Sequence, residues 1–195
     1  MNKLKTIMTA CAACALTSTA MAADPDGKIE FTGEIISGSC EVTGGGAGNS
    51  VPVKLGKVLM SAITDAGTGN KVKSVPIAIN LDCSNSSTGL TTVKFKFDPT
   101  SGGAGIDSHD TRLLKTTGAA TGVGIGLYEG SSGQIINLSD SSKEYSAALT
   151  AAAGGTGGNN KYTATMNMSA SYVGNGQTVE VGAANGTLPF TLTYD

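Results

Sequence analysis

One short segment near the N-terminus alternates strictly between two kinds of residue. Its apolar or small side is formed by Gly27, Ile29, Phe31, Gly33 and Ile35, and its polar side by Lys28, Glu30, Thr32 and Glu34. This period of two predicts a β-strand with one buried face and one wet face. Domain ends are usually frayed and polar unless something holds them down. We therefore expect this strand to pack, either in its own domain or against another molecule.

Residues 1–22 are typical of a secretory signal peptide. Lys3 and Lys5 provide a charged start, an apolar stretch follows, and Ala20-Met21-Ala22 supplies the small-x-small cleavage pattern. We expect cleavage between Ala22 and Ala23. The apolar stretch is too short to span a bilayer, and no later segment resembles a membrane span, so direct membrane insertion is not expected.

The four cysteines divide between the leader and the mature chain. Cys11 and Cys14 lie in the leader, which disfavours both a lipoprotein anchor and a redox use of their C-x-x-C spacing. Cys40 and Cys83 remain, and an even count in an oxidising compartment favours one disulfide over two free thiols. It would close a loop of about 44 residues and contribute roughly 4 kcal/mol in the loop-entropy treatment. Two cysteines and one histidine cannot form a four-ligand zinc site.

Composition limits the classes of partner. Cleavage leaves 173 residues, a length that suits one domain, with 11 basic and 15 acidic residues and a net charge of −4. The basic residues are scattered, so neither nucleic acid nor an anionic membrane is an expected partner. Charged residues make up only 14% of the chain, while Gly, Ser, Thr and Ala are abundant. This balance favours a β-rich exported protein with many turns.

The period of two recurs to the end of the chain. Strand patterns occupy 51–55, 75–83, 92–97, 123–127, 135–138, 145–149, 162–172 and 188–194, whereas 57–64 alone suggests a helical turn. Short strands at regular spacing with glycine-rich turns predict a single all-β sandwich.

Motifs that resemble catalytic signatures have ordinary explanations. Ser108-His109-Asp110 contains the three residue types of a catalytic triad. Adjacent residues on one loop, however, cannot converge so that the nucleophile bonds to the base and the base to the acid. Gly122 to Gly126 lies in a strand and not at a strand-to-helix turn, so it does not predict a phosphate site. The aspartates show no calcium-loop spacing. We expect neither an enzyme nor a cofactor.

Several motifs, in order, closely resemble the pilin subunits of type 1-like chaperone–usher fimbriae. They are Phe31-Thr32-Gly33-Glu34-Ile35-Ile36 running into Cys40, Val51-Pro52-Val53-Lys54-Leu55-Gly56, Ile77 to Cys83, Gly122-Val123-Gly124-Ile125, and an ending with Gly182 fourteenth from the C-terminus and Tyr194 penultimate. Each motif alone is common, but their order and spacing extend over the whole mature chain. Two positions depart from the pattern, the polar Asp24-Pro25-Asp26 and the final Asp195.

The resemblance implies an immunoglobulin-like sandwich that lacks its last strand. The gap is filled first by a periplasmic chaperone and then, at an outer-membrane usher, by the N-terminal extension of the next subunit. It implies a donor-strand extension at 23–36 and a pilin domain at 37–195. The donor residues are Gly27, Ile29, Phe31 and Gly33. The groove and chaperone-binding residues are Gly182, Leu188, Phe190, Leu192 and Tyr194, and Cys40–Cys83 ties the first two strands.

The function implied is that of a structural subunit of a surface fimbria, exported through the periplasm and supporting adhesion. Its partners would be further copies of itself, the chaperone, the usher and minor or tip subunits. A major shaft subunit is expected over a minor or adaptor subunit, and the chain has no room for the extra lectin domain of a tip adhesin. The alternative from another class is a self-contained secreted β-sandwich that binds a small ligand or carbohydrate and keeps 27–35 in its own sheet.

Overall fold

The computed structural model of the chain describes residues 40–43, 50–84, 90–152 and 161–195. The elements are β1 (Glu41–Thr43), α1 (Met60–Ala66), β2 (Val75–Asp82), β3 (Thr92–Phe97), β4 (Leu114–Lys115), β5 (Val123–Glu129), β6 (Tyr145–Ala148), β7 (Thr150–Ala152), β8 (Lys161–Gly174) and β9 (Phe190–Tyr194). The expected cleavage site at Ala22 and Ala23, and the expected donor residues Gly27, Ile29, Phe31 and Gly33, lie outside the described residues.

The described strands form two antiparallel sheets. The larger has the order β1-β2-β8-β5-β4, with β7 also pairing with β8, and the smaller has the order β6-β3-β9. The chain changes sheets at Leu149, between β6 and β7. Cys40 and Cys83 form a disulfide that joins the start of β1 to the end of β2, as expected.

The core lies between the facing sides of the two sheets. Leu81 of β2 is 2% exposed, and Val93 and Phe95 of β3 are fully buried. Alternate residues of β3 point into this core, while Lys94 and Lys96 point to solvent from the other face. The predicted period of two therefore corresponds to one buried face, as strand geometry requires.

The outer face of the larger sheet is covered at one end. Here β8 is buried on both sides, and Val173 is fully buried in a small cluster with Leu113 and Tyr128. The helix α1 packs nearby, with Ile63 7% exposed. The predicted helical turn at 57–64 is thus present, but the helix begins three residues later than the pattern indicated.

Two predicted strands are wrong or shorter than predicted. Residues 51–59 belong to no described strand, although Val51 and Leu55 still pack against the core. Pro52 cannot donate to a ladder, which opposes regular pairing there. The segment 135–138 contributes only a single bridge, between Ile135 and Tyr128. Ile136 and Leu138 are buried without a regular ladder, whereas Val53 is 39% exposed and Leu59 is 74% exposed.

A candidate strand-binding groove between the sheets

The last strand, β9, has one side without a partner in the described part of the chain. It pairs with β3 alone, in the register Lys94↔Thr193 and Lys96↔Thr191. The backbones of Thr92 and Asp195 exchange two hydrogen bonds, of 3.1 and 3.0 Å. Because backbone groups alternate sides along a strand, those of Thr191 and Thr193 face β3. The N–H and C=O groups of residues 190, 192 and 194 therefore point away from the sheet.

A groove of about 970 Å³ opens beside this edge. One wall is formed by residues 186–190 and Leu192, and the other by Cys40, Val42 and residues 50–56. Core side chains form its floor: Ile77, Ile79, Phe97, Leu114, Ile125, Leu127, Met168, Ala170 and Tyr172. An apolar trough next to an unpaired strand edge has the features needed to accept an extended chain, since the edge offers backbone bonds and the trough offers side-chain pockets.

The inward side chains of β9 are only half-covered. Phe190, Leu192 and Tyr194 are partly buried, in contrast to the fully buried Phe95 on the neighbouring strand. The rings of Phe95 and Phe190 lie 6.0 Å apart, so Phe190 rests on the core with one side toward the groove. Further apolar burial is available on this wall.

Tyr194 closes one end of the groove. Its hydroxyl accepts a hydrogen bond of 3.1 Å from the backbone N–H of Cys40. Cys40 is held in turn by its disulfide to the fully buried Cys83. The two walls are therefore linked at this end.

The opposite end narrows at Gly186. A Cβ at this position would lie 2.9 Å from side-chain atoms of both Ile125 and Leu114, closer than real Cβ atoms approach. The backbone of this wall thus rests directly on the floor because residue 186 has no side chain. A side chain at residue 186 would therefore displace this wall from the floor.

The predicted groove residues are placed in three different ways. Leu188, Phe190 and Leu192 line the groove, and Tyr194 closes its end. Leu188 precedes β9, which begins after Pro189 because proline cannot donate to the ladder. Gly182 is in neither place: it packs on the 119–120 loop, where an added Cβ would lie 2.4 Å from the Ala120 nitrogen.

The structure adds groove residues that the sequence interpretation did not assign. Residues 50–56 form one wall of the groove. Their Val-x-Val-x-Leu alternation indicates an inward face, but it does not indicate that this face borders a groove. Gly186 had no local signal, since its role depends on Ile125 and Leu114, which lie 61 and 72 residues earlier in the chain.

Charged side chains lie on the outer face of the smaller sheet. Lys94 Nζ contacts the Asp195 carboxylate and lies 4.0 Å from Glu144 Oε2. The hydrogen bond from Lys94 to Asp195, and the charge of that carboxylate, raise the pKa of Lys94. Lys96 is exposed, and among the described residues it forms no ion pair.

The loop with the triad letters is held by structural hydrogen bonds. The carboxylate of Asp107 accepts bonds from the backbone N–H of His109 (2.8 Å) and from Asn175 Nδ2 (2.8 Å). Asp110 is engaged by Arg112, which donates from Nε and Nη2 and lowers the pKa of Asp110. Ser108 Oγ and His109 Nδ1 lie 3.2 Å apart, but no acid orients the ring from its other side in the described residues. The arrangement is a stabilised loop.

Two kinds of feature are absent from the residues that the structure describes. Within 40–43, 50–84, 90–152 and 161–195, no three His, Cys, Asp or Glu side chains are grouped so that they could hold a metal ion. Over the same ranges, no helix has the length and apolar character needed to cross a membrane.

Comparison with known proteins places these features in one family. A family model described as "Fimbrial protein" matches residues 29–195. The long polar fimbria protein A of Salmonella typhimurium is 32% identical over 199 residues, covering 98% of each chain. The probable major fimbrial subunit LpfA of Escherichia coli O157:H7 is 32% identical over 197 residues, again covering 98% of each. Among solved structures, the P pilus rod subunit PapA shares the fold with a TM-score of 0.57 at 20% identity, over 80% of this chain and 99% of that one.

Proposed function

Because this chain belongs to the fimbrial protein family, we propose that its groove accepts the N-terminal strand of a second copy of the same chain. The chain is a structural subunit of a surface fimbria and not an enzyme. Its fold is the incomplete immunoglobulin-like sandwich, as the sequence motifs predicted. The family also favours this function over a self-contained ligand-binding sandwich.

The observation that carries the proposal is a match between the groove wall and the N-terminal pattern. Leu188, Phe190 and Leu192 line the wall at alternate positions, and Tyr194 continues the alternation at the end of the groove. Among the described residues, the outward backbone groups of residues 190, 192 and 194 have no strand partner. The segment 27–33 also offers four alternate positions, and a strand added to this edge must have that period.

The shape of the groove selects one register. In it, Gly27 lies opposite Tyr194 and Gly33 lies opposite Leu188, next to Gly186. Each end is bounded by a close contact, the Tyr194–Cys40 hydrogen bond at one and Gly186 against the floor at the other, so we expect glycine to suit both. Ile29 and Phe31 then enter the groove between these ends, opposite Leu192 and Phe190. We take the added strand as antiparallel to β9, because every strand pair in the described sheets is antiparallel.

The energy of insertion comes mainly from two side chains. Burying Ile29 and Phe31 contributes roughly 1.5–3 kcal/mol each, and each new backbone hydrogen bond adds about 1 kcal/mol. Insertion also covers the exposed sides of Phe190 and Leu192. A free subunit would keep an apolar trough and an open strand edge, which favours aggregation.

The same exposure explains the expected partners during export. We propose that a periplasmic chaperone covers the groove until an outer-membrane usher brings the next subunit, and that 1–22 directs entry to the periplasm. The 32% identity to a probable major fimbrial subunit supports a place in the fimbrial shaft, with minor or tip subunits at its end.

The proposal is tested by placing a charge on the inward face of the expected donor strand. Phe31→Asp should leave the fold intact and abolish the ladder of polymers that survives SDS without boiling. Thr32→Asp is the matched control, because Thr32 follows Phe31 and is expected on the outward face of the strand. This variant should assemble like the unaltered chain. Polymer formation by Phe31→Asp at the unaltered rate would refute the donor assignment.

A further inference from the structure

Within the part of the chain that the structure describes, one lysine on the outer face of the smaller sheet has no charged partner, and it lies beside the edge that the proposed donor strand would join. Lys96 points outward from β3, and its neighbour across the ladder is Thr191 of β9. Thr191 is exposed and short, so it does not screen Lys96 from a strand on the far side of β9. The next lysine on this face, Lys94, differs because its Nζ contacts the Asp195 carboxylate and lies 4.0 Å from Glu144 Oε2.

The register of the donor strand decides which residue faces Lys96. With Ile29 opposite Leu192 and Phe31 opposite Phe190, the outward residue beside Thr191 is Glu30. A parallel donor with its glycines at the same two ends also places Glu30 beside Thr191, so the assignment does not depend on strand direction. With the antiparallel donor, Lys28 falls beside Thr193, in the row of Lys94, and the Asp195 carboxylate that contacts Lys94 supplies the opposite charge there.

From this geometry we propose that Glu30 of one copy pairs with Lys96 of the next across Thr191, and that this pair helps a groove select the donor strand of its own kind. The inference rests on the proposed function, since it requires donor-strand insertion. Neighbouring strands lie about 4.8 Å apart, which puts Glu30 and Lys96 roughly 10 Å apart at the backbone. The four-carbon stem of lysine and the glutamate side chain together span that gap.

The apolar groove and the Glu30–Lys96 pair would contribute differently to donor binding. The apolar face supplies most of the binding energy, and many alternating strands with suitable side chains could fill the trough. Charges on the wet face contribute less energy but penalise a donor with the wrong sign, which is how charge patterns usually provide specificity.

A charge exchange in the full-length chain tests the pair, because every junction of a homopolymer contains one donor Glu30 and one acceptor Lys96. Glu30→Lys and Lys96→Glu each create like charges at every junction, and each should slow ladder formation about three- to tenfold at low salt. The double variant restores opposite charges and should assemble at nearly the original rate. These differences should vanish near about 1 M salt, where the screening length is only about 3 Å.

Mixing the two single variants gives a readout that a folding defect cannot imitate. Glu30→Lys donates well only to Lys96→Glu, and Lys96→Glu donates well only to Glu30→Lys. The mixture should therefore form polymers in which the two chains alternate, faster than either chain alone. Lys115→Glu is the matched control, since Lys115 is exposed on β4, at the edge of the other sheet, and this change should have no effect.

Two outcomes would overturn the inference, and they are distinguishable. If Phe31→Asp blocks assembly but the charge variants and their mixture behave like the unaltered chain, the Glu30–Lys96 pair is wrong and the donor strand stands. If Phe31→Asp also assembles normally, the proposed function fails and the pair fails with it.

Discussion

Leu192→Asp places a charge on the wall of the groove, and its effect follows from the half-covered state of Leu192. In a free subunit the new carboxylate can still reach water through the open groove, so the fold should persist. Once a donor strand covers the site, that contact with water is lost. Assembly, rather than folding, should therefore carry most of the cost.

The size of this cost can be worked out at pH 7. A carboxyl group that must become neutral to be covered costs about 4 kcal/mol, because its ordinary pKa of about 3.9 lies about three units below the solution pH. Losing the burial of leucine adds about 2 kcal/mol. A total of about 6 kcal/mol weakens donor binding by about four powers of ten.

The same reasoning predicts a dependence on pH. At pH 5, neutralising the carboxyl costs only about 1.5 kcal/mol, so donor binding by Leu192→Asp should recover about a hundredfold relative to pH 7. A defect caused by damage to the fold would not recover in this way.

The matched control is Thr193→Asp, which adds the same charge on the next residue of β9 but on the outer face. The assay compares the SDS-stable ladder formed by each refolded, oxidised chain, after circular dichroism has shown that both are folded. Thr193→Asp should assemble normally. Equal assembly of the two variants, or a Leu192→Asp defect that is the same at pH 5 and pH 7, would refute the assignment of this groove.

Two further predictions concern the subunit itself. Cys83→Ser removes a disulfide between residues 43 apart in sequence. The free energy of unfolding, measured by urea titration, should fall by about 4 kcal/mol. A reductant should lower the stability of the unaltered chain by the same amount and should not change that of the variant. Asp82 has its pKa lowered to about 2, chiefly by its hydrogen bond from Ser84 and then by Lys161, so its stabilisation is complete above about pH 4 and is lost as pH falls toward 2. In Asp82→Asn, the free energy of unfolding should change less with pH between about pH 4 and pH 2. The difference should be under about 1 kcal/mol, since solvent screens the Asp82–Lys161 pair. An unchanged dependence on pH would contradict this.

Sequence patterns predicted the parts of the fold that depend on local alternation. The buried faces of β2, β3 and β8 correspond to the predicted apolar positions, because a strand between a core and solvent must alternate. The Cys40–Cys83 disulfide was likewise predictable from the count of cysteines in an exported chain.

The groove was harder to predict because it depends on contacts between distant segments. The alternation at 51–55 indicates a buried face, yet these residues form a groove wall instead of a paired strand. Gly182 and Gly186 are both close-packed glycines near the C-terminus, but only the second borders the groove. Their partners at Ala120 and Ile125 lie about sixty residues earlier, beyond any local pattern.

Residue-resolved amide hydrogen exchange along β9 tests most directly the claim that a second copy completes this sheet. In the monomeric Phe31→Asp chain, the amides of Thr191 and Thr193 should be protected by β3, whereas those of Phe190, Leu192 and Tyr194 should exchange rapidly. In the assembled polymer all five should be protected, because the donor strand bonds the outer edge. A polymer in which Phe190, Leu192 and Tyr194 still exchange as they do in the monomer would contradict the account.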